Sequence, residues 1–177
     1  SVYIIALNNL GSICYELGKE EELMNILRKS RALPVKTLSL QNRIFTLTYQ
    51  LELSYYNKYA QYQKGIGIIP DIKKGMEHIG DKFDKHFRLH FHYHFALLYF
   101  AVKEYRNALK WLHSVLNDPA KELRKDFYCF ARIMNLIVYY EMGNQQLIKS
   151  AVSSTYRFLY KNKRLFALET VILKFIR

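Results

Sequence analysis

Glycine, proline and cysteine are all scarce in this chain, and each scarcity argues against a class of structure. The 177 residues include only seven glycines and three prolines, too few for the many turns of a β-sandwich or barrel, so long helices are the natural interpretation. The two cysteines, Cys14 and Cys129, cannot form the disulfide framework of a small secreted domain. We expect both to be small buried side chains in a reducing compartment.

Motifs of catalysis and cofactor binding are also absent from the sequence. There is no nucleophile elbow, phosphate-binding loop, dinucleotide fingerprint or zinc-protease helix motif, and the 15 acidic residues are scattered. The sequence therefore nominates no catalytic residue, no metal site and no cofactor. It favours a role other than that of an enzyme.

Long apolar runs and targeting signals are lacking as well. The uncharged run from Leu89 to Val102 is shorter than the roughly 18 to 20 residues of a membrane-spanning helix. The first residues carry neither a basic leader nor a small-residue cleavage site. We therefore expect no membrane association and a cytoplasmic, intracellular location. The absence of an initiator Met and the apolar helical pattern at the end lead us to expect a piece of a longer protein.

Apolar residues at helical spacing are what the chain has in abundance. Half of the residues are hydrophobic, which is ample for a continuous core, and apolar positions recur at intervals of three and four. This pattern predicts an all-α fold of about nine helices and no strand. The predicted helices cover about 2–17, 20–31, 35–63, 69–79, 81–102, 105–116, 121–142, 145–160 and 163–177. Asp81 is placed to cap the fifth of them.

One predicted helix pair, from His92 to Pro119, carries a recognisable spacing of large and small residues. Its marked positions are His92, Phe95, Ala96, Tyr99, Ala108, Leu112 and Pro119. The same template fits the start of the chain at Leu7, Leu10, Gly11, Cys14, Leu23, Leu27 and Pro34, and more weakly a later stretch at Asn135, Leu136, Tyr139, Ile148 and Val152. This spacing resembles the tetratricopeptide repeat, in which Ala96 and Ala108 would be the points of close contact between paired helices.

The resemblance implies a particular architecture for the whole chain. It would be an α-solenoid of antiparallel helix pairs wound into a right-handed superhelix, forming a single domain over 1–177. The units would cover about 1–34, 35–80, 81–119 and 120–161, followed by a truncated helix at 163–177. The long helix predicted at 35–63 makes the second unit irregular.

The resemblance also implies a peptide-binding groove, because the first helices of successive repeats line the concave surface of such arrays. The groove positions would be Asn8, Asn9, His90, Tyr93, His94, Leu97, Met134 and Ile137, with Ser12 and Glu16 at further equivalent positions of the first unit. Asparagine suits a groove of this kind, since its amide can both donate to and accept from a peptide backbone. The family's clamp for a carboxyl terminus uses Lys and Arg where this chain has His90 and His94, so that ligand is not expected.

Three histidines, His86, His90 and His94, recur at intervals of four on one predicted helix. Two histidines one turn apart can chelate a transition metal. However, no acidic residue or cysteine accompanies them in a known motif, and histidine also fills aromatic-rich helix contacts. We therefore expect no metal here, and the resemblance offers the groove as the alternative use for His90 and His94.

Positive charge is unevenly distributed along the chain. There are 27 basic and 15 acidic residues, a net charge of +12, and the stretch 144–177 holds seven basic residues against Glu169 alone. Its candidate basic patch consists of Arg157, Lys161, Lys163 and Arg164. Such a patch can attract nucleic acid or an acidic partner, although the spacing of Arg157, Lys161 and Arg164 is also that of an ordinary solvated helix face.

The expected function is a non-catalytic module that binds a protein or peptide partner in its concave groove. One alternative is a regulatory domain that senses a peptide ligand within a transcriptional or signalling protein. Another alternative is nucleic-acid binding through the basic carboxyl-terminal face.

Overall fold

The computed structural model describes residues 2–176, apart from the side chains of residues 121 and 122. Within that range the regular structure is helical throughout, with no strand, which confirms the predicted all-α class. The helices are α1 (Val2–Leu17), α2 (Glu20–Arg31), α3 (Leu38–Lys58), α4 (Tyr62–Gly67), α5 (Ile69–Ile79), α6 (Lys85–Ala101), α7 (Tyr105–Leu116), α8 (Lys125–Glu141), α9 (Gln145–Lys161) and α10 (Ala167–Ile176). Short 3-10 turns precede α6 and α8 at Gly80–Lys82 and Lys121–Arg124.

Every predicted helix has a counterpart, and the largest difference lies in the long helix predicted at 35–63. In the structure α3 ends at Lys58, and Tyr62 belongs to the separate helix α4. The chain leaves the helix because Ala60 adopts a φ of 56° and the amide of Gln61 donates to the carbonyl of Tyr56. Both features have the form of a helix C-terminal cap. The apolar spacing continues across this break, which is why the sequence pattern concealed it.

The predicted starts of three helices also move. Asp81 lies in a 3-10 turn, and Asp84 instead accepts a hydrogen bond of 2.7 Å from the amide of His86 at the start of α6. The last helix, α10, begins at residue 167 rather than 163, and α8 begins at residue 125 rather than 121. Each shift shortens the predicted element by one turn or slightly more, because periodicity does not specify the cap.

The described fold divides into two compact units, residues 1–94 and 95–177, with the boundary inside α6. In the first unit α1 and α2 form a helical hairpin across Gly18 and Lys19, and α3 packs against both members of that hairpin. The short helix α4 and helix α5 pack against α3 in turn. Their apolar core includes Leu7, Cys14, Leu23, Ile26, Leu27, Tyr55 and Tyr56.

A partly buried polar network joins α2 to α3 within the first unit. The guanidinium of Arg31 donates to the carboxylate of Glu52 and, over 3.1 Å, to the hydroxyl of Thr48. Tyr56 donates to the other oxygen of Glu52 over 3.2 Å. Burial, followed by the charge of Glu52, raises the pKa of Tyr56 well above its ordinary range. Glu52 is buried, so its charge is tolerated because Arg31 neutralises it and Tyr56 completes its hydrogen bonding.

The second unit repeats the packing of a hairpin with a third helix. Helices α8 and α9 form the hairpin, whose turn ends at Asn144, where the side chain accepts a hydrogen bond from the amide of Leu147. Helix α10 packs on both α8 and α9, and α7 packs on α8. Ala96 and Ala108, predicted as close-contact positions, are fully buried. The core of this unit includes Cys129, Ile133, Leu136, Ile148, Val152, Leu159, Leu173 and Ile176.

Both cysteines are buried free thiols, as expected. Burial raises the pKa of the Cys129 thiol. Among the described helices, none combines the length and the apolar character needed to cross a membrane.

Candidate peptide-binding site

A polar cleft of about 360 Å³ lies between α1 and α3 in the first unit. Three of the positions predicted to face the groove line it from α1, and α3 contributes the opposite wall. The polar lining residues are Asn8, Ser12 and Glu16 from α1, and Gln50 and Ser54 from α3. The structure therefore brings Asn8 together with two α3 side chains that sequence reasoning had not assigned to the groove.

Gly11 allows α1 to lie close enough to its neighbours to form this cleft. A Cβ atom at Gly11 would lie 3.0 Å from a methyl carbon of Leu51 on α3, and 3.6 Å from side chains of Leu23 and Ile26 on α2. Only glycine fits that contact without displacing Leu51. The residue sits at one of the small positions of the predicted repeat template, so the sequence pattern and the packing agree here.

An ion pair and two aromatic rings join α1 to the end of α3 beside the cleft. The ammonium of Lys58 lies 2.7 Å from the carboxylate of Glu16, and it sits 4.4 Å from the centre of the Tyr15 ring. The hydrogen bond to Glu16 raises the pKa of Lys58. Tyr59 donates to the carbonyl of Tyr15 over 2.9 Å and so holds the end of α3 against α1. The arrangement fixes the spacing of the two cleft walls.

The walls of the cleft offer hydrogen-bonding groups that the fold does not use. The side-chain amides of Asn8 and Gln50 and the hydroxyl of Ser54 make no hydrogen bond within the described part of the chain. Each amide can donate and accept at once, which is the requirement for pairing with an extended peptide backbone. Leu47 and Leu51 supply apolar surface beside these groups.

The other predicted groove residues occupy different environments. Asn9 is exposed on α1 but does not line the cleft. On α6, Tyr93 and His94 are half-buried, whereas His90 is buried and its ring lies 4.2 Å from that of His94. A buried His90 presents little surface to a ligand. In the second unit Leu97, Met134 and Ile137 are half-buried. Their assignment to a groove stays a prediction.

No metal-binding cluster is formed by the residues that the structure describes. No group of three or more His, Cys, Asp or Glu side chains there has the geometry to hold a metal ion. The rings of His90 and His94 also contact Phe91 and Tyr93, while His86 is exposed. His90 and His94 therefore take part in aromatic packing, whereas His86 does not.

The predicted basic patch does not form one helix face. Arg157 and Lys161 are exposed on α9, but α9 ends at Lys161, and Lys163 follows in a turn with a φ of 54°. Arg164 lies beyond that turn, which corrects the prediction that it shares a helix face with Arg157. Positive charges after a helix C-terminus complement the negative end of the helix dipole, so part of this patch has a structural explanation.

Comparison with known proteins yields no relative for this chain. No family model, no curated protein and no solved structure matches it. The class that the fold itself defines is an all-helical protein in which helical hairpins pack against a following helix. Membership of the tetratricopeptide repeat family stays a prediction.

Proposed function

We propose that this protein is a non-catalytic interaction module of helical-repeat type that binds an extended segment of a partner protein. The observation that carries the proposal is the cleft between α1 and α3, where the unused amides of Asn8 and Gln50 face a common space. Asn8 is also a position at which the repeat resemblance places a ligand contact.

The helix packing supports the repeat interpretation. In tetratricopeptide-like arrays the first helix of each pair packs on both helices of the preceding pair, since neither helix alone can bury its apolar stripe. Helix α3 packs in this way on α1 and α2, and α10 packs in this way on α8 and α9. Under this interpretation α1 and α3 are successive first helices, and the cleft between them belongs to the ligand-binding surface.

The chemistry of the cleft favours a peptide backbone over a charged ligand. Its one carboxylate, Glu16, is paired with Lys58, so the lining carries no uncompensated charge. The two amides can pair with the N–H and C=O groups of an extended chain, and Leu47 and Leu51 can contact its side chains. Binding would therefore depend on hydrogen-bond register and modest apolar burial.

The direct test is selection of peptides on the purified protein from a displayed random library, followed by affinity measurement with the selected sequences. Asn8→Ala and Gln50→Ala should each weaken binding by about tenfold, since each leaves peptide polar groups unpaired. The matched control is Asn25→Ala, because Asn25 is exposed on α2 and does not line the cleft.

Circular dichroism should show unchanged helix content in all three variants. If the two cleft variants bind the selected peptides as tightly as Asn25→Ala does, the cleft is not the binding site. Failure to enrich any peptide on the wild-type protein would also contradict the proposal.

A further inference from the structure

A second cleft, of about 450 Å³, lies between α9 and α10 within the second unit. Its floor is apolar, since Val152 and Leu173 belong to the core and are almost fully buried. Its rim holds two cations, one on each wall, namely Arg157 on α9 and Lys174 on α10. The exposed ring of Tyr156 and the hydroxyl-bearing residues Ser153 and Thr170 make up the rest of the lining.

The two cations have no acidic partner in the described part of the chain. Arg157 donates only to the carbonyl of Ser153, over a long 3.4 Å, and Lys174 forms no ion pair. Glu169, the one acidic residue between 144 and 177, accepts a hydrogen bond from the amide of Phe166 at the start of α10. The positive charge of the cleft is therefore not neutralised by the fold.

We propose that the α9–α10 cleft binds an acidic, amphipathic peptide segment, with carboxylates at Arg157 and Lys174 and an apolar side chain on the floor formed by Val152 and Leu173. Charge complementarity selects an anion, and the apolar floor selects one that carries a hydrophobic group beside its charge. The proposal uses none of the residues that line the α1–α3 cleft.

A peptide fits this lining better than a nucleic acid does. The two hydroxyl groups of the lining, on Ser153 and Thr170, already donate to the backbone carbonyls of Lys149 and Phe166. The two cations lie on different helices, one on each wall, and do not form a row along one helix that could follow a phosphate backbone. Tyr156 and Tyr160 do form a nearly parallel exposed pair, with ring centres 6.1 Å apart. Exposed aromatic rings are the usual platform for bases, so single-stranded nucleic acid is a definite competing outcome of the test.

The probes are a fluorescent peptide with a central Glu-Leu-Phe-Glu sequence, the same peptide with both Glu replaced by Gln, and a labelled oligouridine. Fluorescence anisotropy with the full chain should give saturable binding of the acidic peptide, and binding of the Gln peptide weaker by about tenfold or more. The oligouridine should bind only weakly, with no dependence on the cleft residues.

Two double variants separate the site from the overall charge. Arg157→Gln with Lys174→Gln removes both cleft cations and should weaken binding of the acidic peptide by about tenfold or more. Lys149→Gln with Lys163→Gln is the matched control, because it removes the same charge at exposed positions outside the cleft, and it should change the affinity by less than about twofold. Both variants alter exposed side chains, and circular dichroism checks that they fold.

Several results would overturn the proposal. Equal losses in the two double variants would mean non-specific charge attraction, and equal binding of the Glu and Gln peptides would remove the role of the carboxylates. Tighter binding of oligouridine that depends on Arg157 and Lys174 would assign the cleft to nucleic acid. Absence of saturable peptide binding would reject the site. Asn8→Ala should leave binding of the acidic peptide unchanged. The proposal for the α9–α10 cleft can therefore be rejected without rejecting the proposal for the α1–α3 cleft, and the reverse also holds.

Discussion

Glu52 is a buried carboxylate that links α2 to α3 through Arg31. It is a charged residue in a helix whose sequence pattern identifies only apolar positions, yet it is buried and bound by Arg31 and Tyr56. The spacing of apolar residues predicted a helix over 35–63 but gave no indication that a carboxylate within it is buried. Periodicity identifies what is apolar, and it does not identify which polar group finds a partner in the core.

Replacing Glu52 by Gln should reduce the free energy of unfolding by about 2–3 kcal/mol, because the charge of Arg31 would lose its compensating partner. The value lies below that of a fully buried pair, since the Arg31 side chain is 31% exposed. Urea unfolding followed by circular dichroism measures the change.

The matched control for that substitution is Glu16→Gln, which breaks the exposed pair with Lys58. An exposed pair contributes little, so the control should leave the midpoint of the urea transition almost unchanged. Equal losses in the two variants would show that the network around Glu52 is no more important than a surface ion pair.

At the scale of whole helices, small residues determine how closely neighbours approach. Ala96, Ala108 and Gly11 were identified from the repeat spacing, and all three are buried in the structure. Gly75 was not identified, because it lies in α5, outside the matched template. A Cβ atom there would lie 2.1 Å from the ring of Phe45 on α3. The contact of α3 with α5 therefore depends on a glycine that only the packing reveals.

Gly75→Ala should destabilise the protein by about 1–3 kcal/mol, since the ring of Phe45 must move to make room for the new methyl group. Gly67→Ala is the control, because a Cβ at Gly67 meets nothing within 4 Å. Thermal unfolding compares the two variants. A Gly75→Ala protein as stable as the control would show that Phe45 has free space into which to rotate.

At the scale of the whole molecule, the net charge of +12 bears on the choice of partner. A positive field of this size attracts anionic partners from solution and speeds their encounter. The uncompensated cations of the α9–α10 cleft would then fix the bound position, while the neutral α1–α3 cleft would gain nothing from the field. The two proposed sites should therefore respond differently to salt.

Raising the salt concentration from about 0.05 M to about 0.5 M should slow association of the Glu-Leu-Phe-Glu peptide by about tenfold, because the Debye length shrinks over that range. Its dissociation rate should change much less. Stopped-flow fluorescence measures both rates. Neutral peptides selected on the α1–α3 cleft serve as the comparison, and a similar loss for them would mean that salt acts on the fold instead of on the encounter.

The all-helical class and most of the helices follow from the order of the amino acids, because an amphipathic helix repeats its apolar positions about every 3.6 residues and contains little glycine or proline. The packing of the helices, by contrast, is what buries His90 and brings Asn8 and Gln50 into one cleft. It also places Arg157 and Lys174 on the two walls of one cleft. These outcomes depend on which helix faces meet. Contacts between residues far apart in the chain produce no periodic pattern in the sequence, so they could not be predicted from it.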